Sequence, residues 1–196
     1  MVREYQEQNV YEALMGRFKL LFEEFDNIYV SFSGGKDSGL LLNLVLDYRN
    51  KYYPEKSIGV FHQDFEAQYT VTTEYIERTF EKIKDQVEPY WVCLPMATRT
   101  ALSSYEMFWY PWDDKKQELW VREMPKHDYV INLENNPIRT YRYKMHQEDL
   151  DYNCFLNWVG DTPVMLLKTR LKCVIFENPV SLLIWVILWL VSISFL

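Results

Sequence analysis

Cysteine is scarce in this sequence. The 196 residues hold three, Cys93, Cys154 and Cys173, with no C-x-x-C spacing and no histidine partner nearby. This pattern excludes a disulfide scaffold, offers zinc or an iron–sulfur cluster no ligand set, and suits a reducing compartment. The three histidines, His62, His127 and His146, are each isolated as well. Basic charge is in deficit, with 21 Lys and Arg against 28 Asp and Glu for a net charge of −7. A broad electrostatic footprint for nucleic acid is therefore missing, although a local basic pocket for a nucleotide is compatible with the balance. The opening stretch, MVREYQEQNVYEAL, lacks the apolar core of a signal peptide, so the expected location is the cytoplasm. Internal repeats and low-complexity stretches are absent too.

Aromatic residues, by contrast, are abundant, with 15 Tyr, 11 Phe and 7 Trp. Leu14, Phe18, Leu21, Phe22 and Phe25 recur at helical spacing and predict an amphipathic helix over Val10 to Phe25. Asn27 to Phe32 reads as a short buried strand, followed by a glycine loop. A leucine-rich helix then starts near Ser38 and ends at about Tyr48 or Arg49. A second strand over Ser57 to His62, a helix over Glu66 to Lys84 and a third strand ending at Pro95 follow. Strand and helix alternating at this spacing predict an α/β fold with a parallel sheet and helices on both faces. Residues 96–128, rich in aromatics and broken by proline, read as an irregular excursion or lid. Helical character is expected to return over Ile138 to Trp158.

The composition changes after residue 163. Residues 164–196 hold a single acid, Glu177, and the 17 residues from Val180 to Leu196 carry no charge, behind Lys168, Arg170 and Lys172. As a helix that run would span roughly 26 Å, a little short of a ~30 Å hydrocarbon core. Three accounts stand open: a membrane anchor entering from the cytoplasm, a core segment, and an aberrant, out-of-frame end. A boundary between 1–163 and 164–196 follows from composition.

The glycine loop, SFSGGKDS at Ser31 to Ser38, carries the clearest chemistry. A loop that holds polyphosphate needs backbone N–H groups turned inward, and Gly34 and Gly35 permit the required dihedrals. The start of the next helix adds free N–H groups and the positive end of its dipole. Lys36 brings a mobile cation, and Ser33 and Ser38 bring hydroxyls. It is neither a Walker A loop, since Asp37 rather than Ser or Thr follows the lysine, nor G-x-G-x-x-G.

SFSGGKDS resembles the PP-loop, SGGxDS, of the adenine nucleotide alpha hydrolase superfamily, to which N-type ATP pyrophosphatases and phosphoadenosine phosphosulfate (PAPS) reductases belong. VFHQDFEAQYTVTTEYIE, WVCLPM, WYPWDD and WVREMP resemble the PAPS-reductase-like group that contains the immunoglobulin-binding regulator IbrA. The resemblance spans roughly residues 5–160. It implies a HUP-type, Rossmann-like sheet and a site for ATP or a related adenine nucleotide with magnesium. By position Ser33, Gly34, Gly35, Asp37 and Ser38 would hold the phosphates; Lys36, at the variable position of the motif, joins them by its charge alone, and Ser31 is a further candidate contact beside them. Asp64 would contact ribose, adenine or magnesium, or else cap the helix after it. Asp37 would bind magnesium, whose hard cation suits carboxylate and phosphate oxygens. Lys36 and Asp37 are the candidate catalytic residues.

Reduction of a sulfonucleotide needs an accessible thiolate. The Glu-Cys-Gly-Leu-His motif of family reductases is absent, and Cys93 lies inside an apolar strand. The expected activity is instead cleavage of ATP with transfer of the nucleotidyl group to an unknown acceptor. Arg99, Arg122, Lys126, Arg139, Arg142 and Lys144 are its candidate contacts. PIRTYRYKMH, with Tyr141 and Tyr143, gives a weak nucleic-acid signal. The alternatives are a non-enzymatic nucleotide-binding regulator of gene expression with a regulatory partner, of prophage context, and an inactive remnant. A membrane partner enters only if the run at 180–196 is an anchor.

Overall fold

Helices α1 (Val10–Glu24), α2 (Lys36–Tyr52) and α3 (Thr70–Ile83) alternate with strands β1 (Asn27–Ser31), β2 (Ile58–Gln63) and β3 (Glu88–Val92) in the computed structural model. The structure describes residues 7–150 and the strand segments 164–167 and 174–176. Beyond β3 come β4 (Thr98–Arg99), β5 (Phe108–Trp109), a 3-10 helix at Asp114–Leu119, β6 (Val130–Ile131), β7 (Val164–Leu167) and β8 (Val174–Phe176).

Six strands form one sheet in the order β6-β3-β2-β1-β7-β8, and β4 pairs with β5 apart from it. Four strands of the sheet are parallel and helices flank them, the arrangement of a Rossmann-like α/β fold. β1 runs parallel to β7 with Asn27 opposite Val164 and Val30 opposite Leu167, and β3 runs parallel to β6. β8 returns antiparallel to β7. The order reverses at β1: β2 and β3 build outward on one side of it, and β7 adds on the other.

The chain divides into two compact units, one from residues 1–60, 86–88 and 161–196, the other from 61–85 and 89–160. β7, which begins at Val164, pairs with β1 in the first unit. The apolar run at 180–196 lies outside the described residues, and so do Cys154 and Cys173. Among the described residues no helix is long and apolar enough to cross a membrane.

In the first unit α1 begins at a capping box: Asn9 accepts from the Glu12 amide at 2.9 Å while the Glu12 side chain accepts from the Asn9 amide at 3.2 Å. Its inner face buries Phe18, Leu21 and Phe22. Tyr48 of α2 meets Phe18 and Phe22 with ring centroids 5.5 and 5.4 Å apart. Lys56 closes the far end of α1, donating to the carbonyls of Phe22 at 2.6 Å and Phe25 at 2.9 Å. β1 contributes Ile28, Tyr29 and Val30, all buried, the continuous apolar run expected of a strand covered on both faces. In the second unit α3 buries Ile76, Phe80 and Ile83, one stripe at helical spacing. Phe80 and His62 pack on Trp91, with centroids 5.5 and 5.3 Å from it.

Several expected boundaries move. α2 starts at Lys36, two residues before Ser38, and runs to Tyr52, past the predicted end. α3 starts at Thr70, because Glu66 sits in the left-handed region at φ 62° and cannot continue a helix. The excursion at 96–128 holds the β4–β5 pair and the 3-10 helix. Helix was expected from Ile138; residues 138–146 instead form turns, with Lys144 at φ 58°, and helix appears only at 147–150 before the described segment ends.

Candidate functional site

The glycine loop lies at the carboxyl end of β1 and leads straight into α2. Gly34 takes φ 78°, which only glycine adopts without strain. Gly35 is the residue before the first turn, extended at φ −79° and ψ 160°, and no side chain caps the helix there. The loop holds its shape by hydroxyl contacts. Ser38, buried, donates to the Gly35 carbonyl at 2.9 Å and lies 3.0 Å from the Ser33 hydroxyl. The amides of Ser33 and Gly35 donate to Ser38 and Ser33, at 3.3 and 3.4 Å. Ser31 ends β1 half-buried, and Ser33, Gly35, Lys36 and Asp37 are exposed. Asp37 stands in the first turn of α2, where a carboxylate favours the helix dipole.

Asp64 occupies a different setting, entirely within the second unit and fully buried. Its carboxylate receives Arg122 Nη2 at 2.5 and 2.6 Å, the Trp91 indole at 2.7 Å and the Glu66 amide at 2.7 Å. Arg122 also donates through Nε to the Glu66 carbonyl at 3.0 Å and lies over the Trp112 ring at 4.9 Å. The Glu66 carboxylate accepts the amides of Trp112 at 3.0 Å and Val121 at 2.8 Å, and the Trp112 indole donates to the Asp64 carbonyl at 3.0 Å. Cys93 Sγ approaches Asp64 at 3.8 Å, and burial, aided by the Asp64 charge, pushes its thiol well above the ordinary value. Beside this network Asp113 pairs with Lys144 at 2.6 Å and accepts from the Tyr143 hydroxyl at 2.7 Å. Burial alone would raise the Asp113 carboxyl; Lys144, Tyr143 and the Lys115 amide outweigh it and hold it below the usual range.

Every one of the four motifs that follow the glycine loop feeds this network: Asp64 and Glu66 from the first, Trp91 and Cys93 from the second, Trp112 from the third, Arg122 from the fourth. Glu66, Trp112 and Asp113 were not singled out from the sequence. The available signal was that each stands within a motif already noted, Glu66 two residues from Asp64.

The other nominated cations are dispersed. Lys144 and Arg122 are engaged as described, Lys126 pairs with Glu123 at 3.3 Å on the surface, and Arg99, Arg139 and Arg142 are exposed. Tyr141 donates to the Pro95 carbonyl at 2.7 Å, and burial pushes its phenol up to about 12. No group of three His, Cys, Asp or Glu able to hold a metal occurs among the described residues.

Comparison with known proteins adds one relative. The chain is 37% identical over 119 residues to a protein of Escherichia coli strain K12 named "Uncharacterized protein YbdN", a match that takes in 60% of the chain and 28% of that protein. No family model and no solved structure matches the chain.

Proposed function

We propose that this chain is an adenine-nucleotide-binding PP-loop protein with a HUP-type sheet, working in the cytoplasm on ATP and magnesium. The phosphates lie against Ser33, Gly34, Gly35 and the first amides of α2; Lys36 neutralises charge and Asp37 holds magnesium. Asp64 acts by fixing Arg122 and the motifs around it. With an acceptor present, attack at the α-phosphate transfers the nucleotidyl group and releases pyrophosphate, the departing charge stabilised by the loop and the ion.

The observation that supports this reading is the place of the loop. Ligands of parallel α/β sheets sit outside the carboxyl ends of the strands where the strand order reverses, and the exposed glycine loop follows β1, the strand at which this order reverses. The helix it opens keeps its first amides uncapped, while the same chain caps α1 with a full capping box.

Gly35→Asp tests the proposal. The backbone at Gly35 is extended, and a Cβ there comes no closer than 3.5 Å to Ser33 Oγ, so the position has room for a side chain; a thermal melt checks that the variant is folded. Its carboxylate caps α2 and occupies the phosphate position. Calorimetric titration with ATP and magnesium is expected to show binding by the wild type and none by the variant. Equal binding by both proteins sinks the assignment. Pyrophosphate assays across candidate acceptors then separate an enzyme from a regulator that binds without turnover.

A further inference from the structure

We propose that the second unit carries a binding site for an organic cation, an amine with an aromatic or aliphatic body, in the cleft between the β4–β5 pair and the 3-10 helix. The cleft is of about 410 Å³, within the range of small-ligand sites. Phe108, Trp109, Tyr110 and Trp120 line it, all half-buried, together with buried Glu66 and Asp113.

Glu66 carries the argument. Its side chain accepts two backbone amides and forms no ion pair among the described residues. A buried carboxylate normally has a cation beside it, because hydrogen bonds alone offset only part of the cost of leaving water. The neighbouring cations pair with other carboxylates: Arg122 with Asp64, reaching Glu66 only at its backbone carbonyl, and Lys144 with Asp113. Lys116, on the rim, is exposed and matched in charge by exposed Glu106, so the cleft keeps the negative charge of Glu66.

Two further features agree. Glu66 and Trp112 both hold φ in the left-handed region, at 62° and 55°, although neither is glycine, and strain of this kind concentrates at binding sites. One aromatic face of the wall also already receives an ammonium group: Lys144 Nζ lies 4.6 Å from the Tyr110 centroid. Rings and carboxylate together select a cation over a neutral molecule of the same shape. The site is independent of the nucleotide proposal and is testable with no nucleotide present.

The test titrates the full chain with phenethylammonium and with its uncharged counterpart 2-phenylethanol, reading tryptophan fluorescence from Trp109 and Trp120. The expected result is a saturable change with the cation, weakened by added salt, and at least about tenfold weaker binding of the alcohol. Trp109→Ala, on the half-buried wall, is expected to weaken the cation similarly while preserving the fold. Glu66→Gln, checked for folding by near-ultraviolet dichroism, is expected to remove the preference for charge. Equal affinity for amine and alcohol, or no saturable response to the amine, overturns the proposal.

Discussion

Arg122 enters the second unit with 20% of its side chain exposed and meets a carboxylate that is 0% exposed. Removing one partner of such a pair strands a charge, whereas replacing both by apolar groups does not. Arg122→Met is therefore expected to cost roughly 3–5 kcal/mol in urea unfolding, and the double change Asp64→Leu with Arg122→Met distinctly less than the two single changes summed. A cost under about 1 kcal/mol for the single change would show the pair to be solvated. Cys93, buried beside Asp64, gives a second expectation. Its raised thiol keeps it protonated, so alkylation mapped by mass spectrometry should reach it only on unfolding. Asp113 sets the acid side of stability. A carboxyl lowered in the fold adds stability above its unfolded pKa, and that stability is lost as pH falls through the folded value. Asp113→Asn should flatten the loss of stability below about pH 4 measured by denaturant titration.

The two capped and uncapped helices make the comparison at the scale of elements. Asn9→Ala breaks a capping box and should cost about 1 kcal/mol. Gly35→Asp should act oppositely, gaining a fraction of that through a new cap and a favourable dipole contact. Gly34→Ala forces a Cβ into φ 78° and should cost about 1–2 kcal/mol. Thermal melts of the three variants check the signs together. A loss of stability in Gly35→Asp would mean that the loop is not open to a side chain. The elements legible in the sequence were those whose information is local. The apolar stripe of α1 and the buried run of β1 fell within one residue of expectation. α3 was predicted too long because the obstacle is Glu66, held at positive φ by bonds to Trp112 and Val121, 46 and 55 residues away. Helix was expected from Ile138 for the same kind of reason: Lys144 is turned out of helical backbone where it reaches Asp113.

For the whole molecule, nucleotide binding and stability are linked by mass action. If the loop holds ATP, a concentration of 100 Kd adds about 2.7 kcal/mol to stability, visible as a rise in Tm that Gly35→Asp abolishes. An amine bound in the cleft raises Tm in wild type and in Gly35→Asp alike, which keeps the two proposals separable.

Sequence by itself determined the alternation of strand and helix, the glycine loop after the first strand and the burial of Cys93, since each depends on neighbours within one or two turns of chain. The order β3-β2-β1-β7, the gathering of four separated motifs around Asp64, and the burial of Glu66 without a cation were decided only by the tertiary structure. The bonds that gather at Asp64 from β3 and from Arg122 span 27 and 58 residues, and the β1–β7 pairing reaches from Asn27 to Val164. Hydrogen bonds and charges at such separations leave no periodic trace in the chain; they exist once burial has removed the water that would otherwise satisfy them.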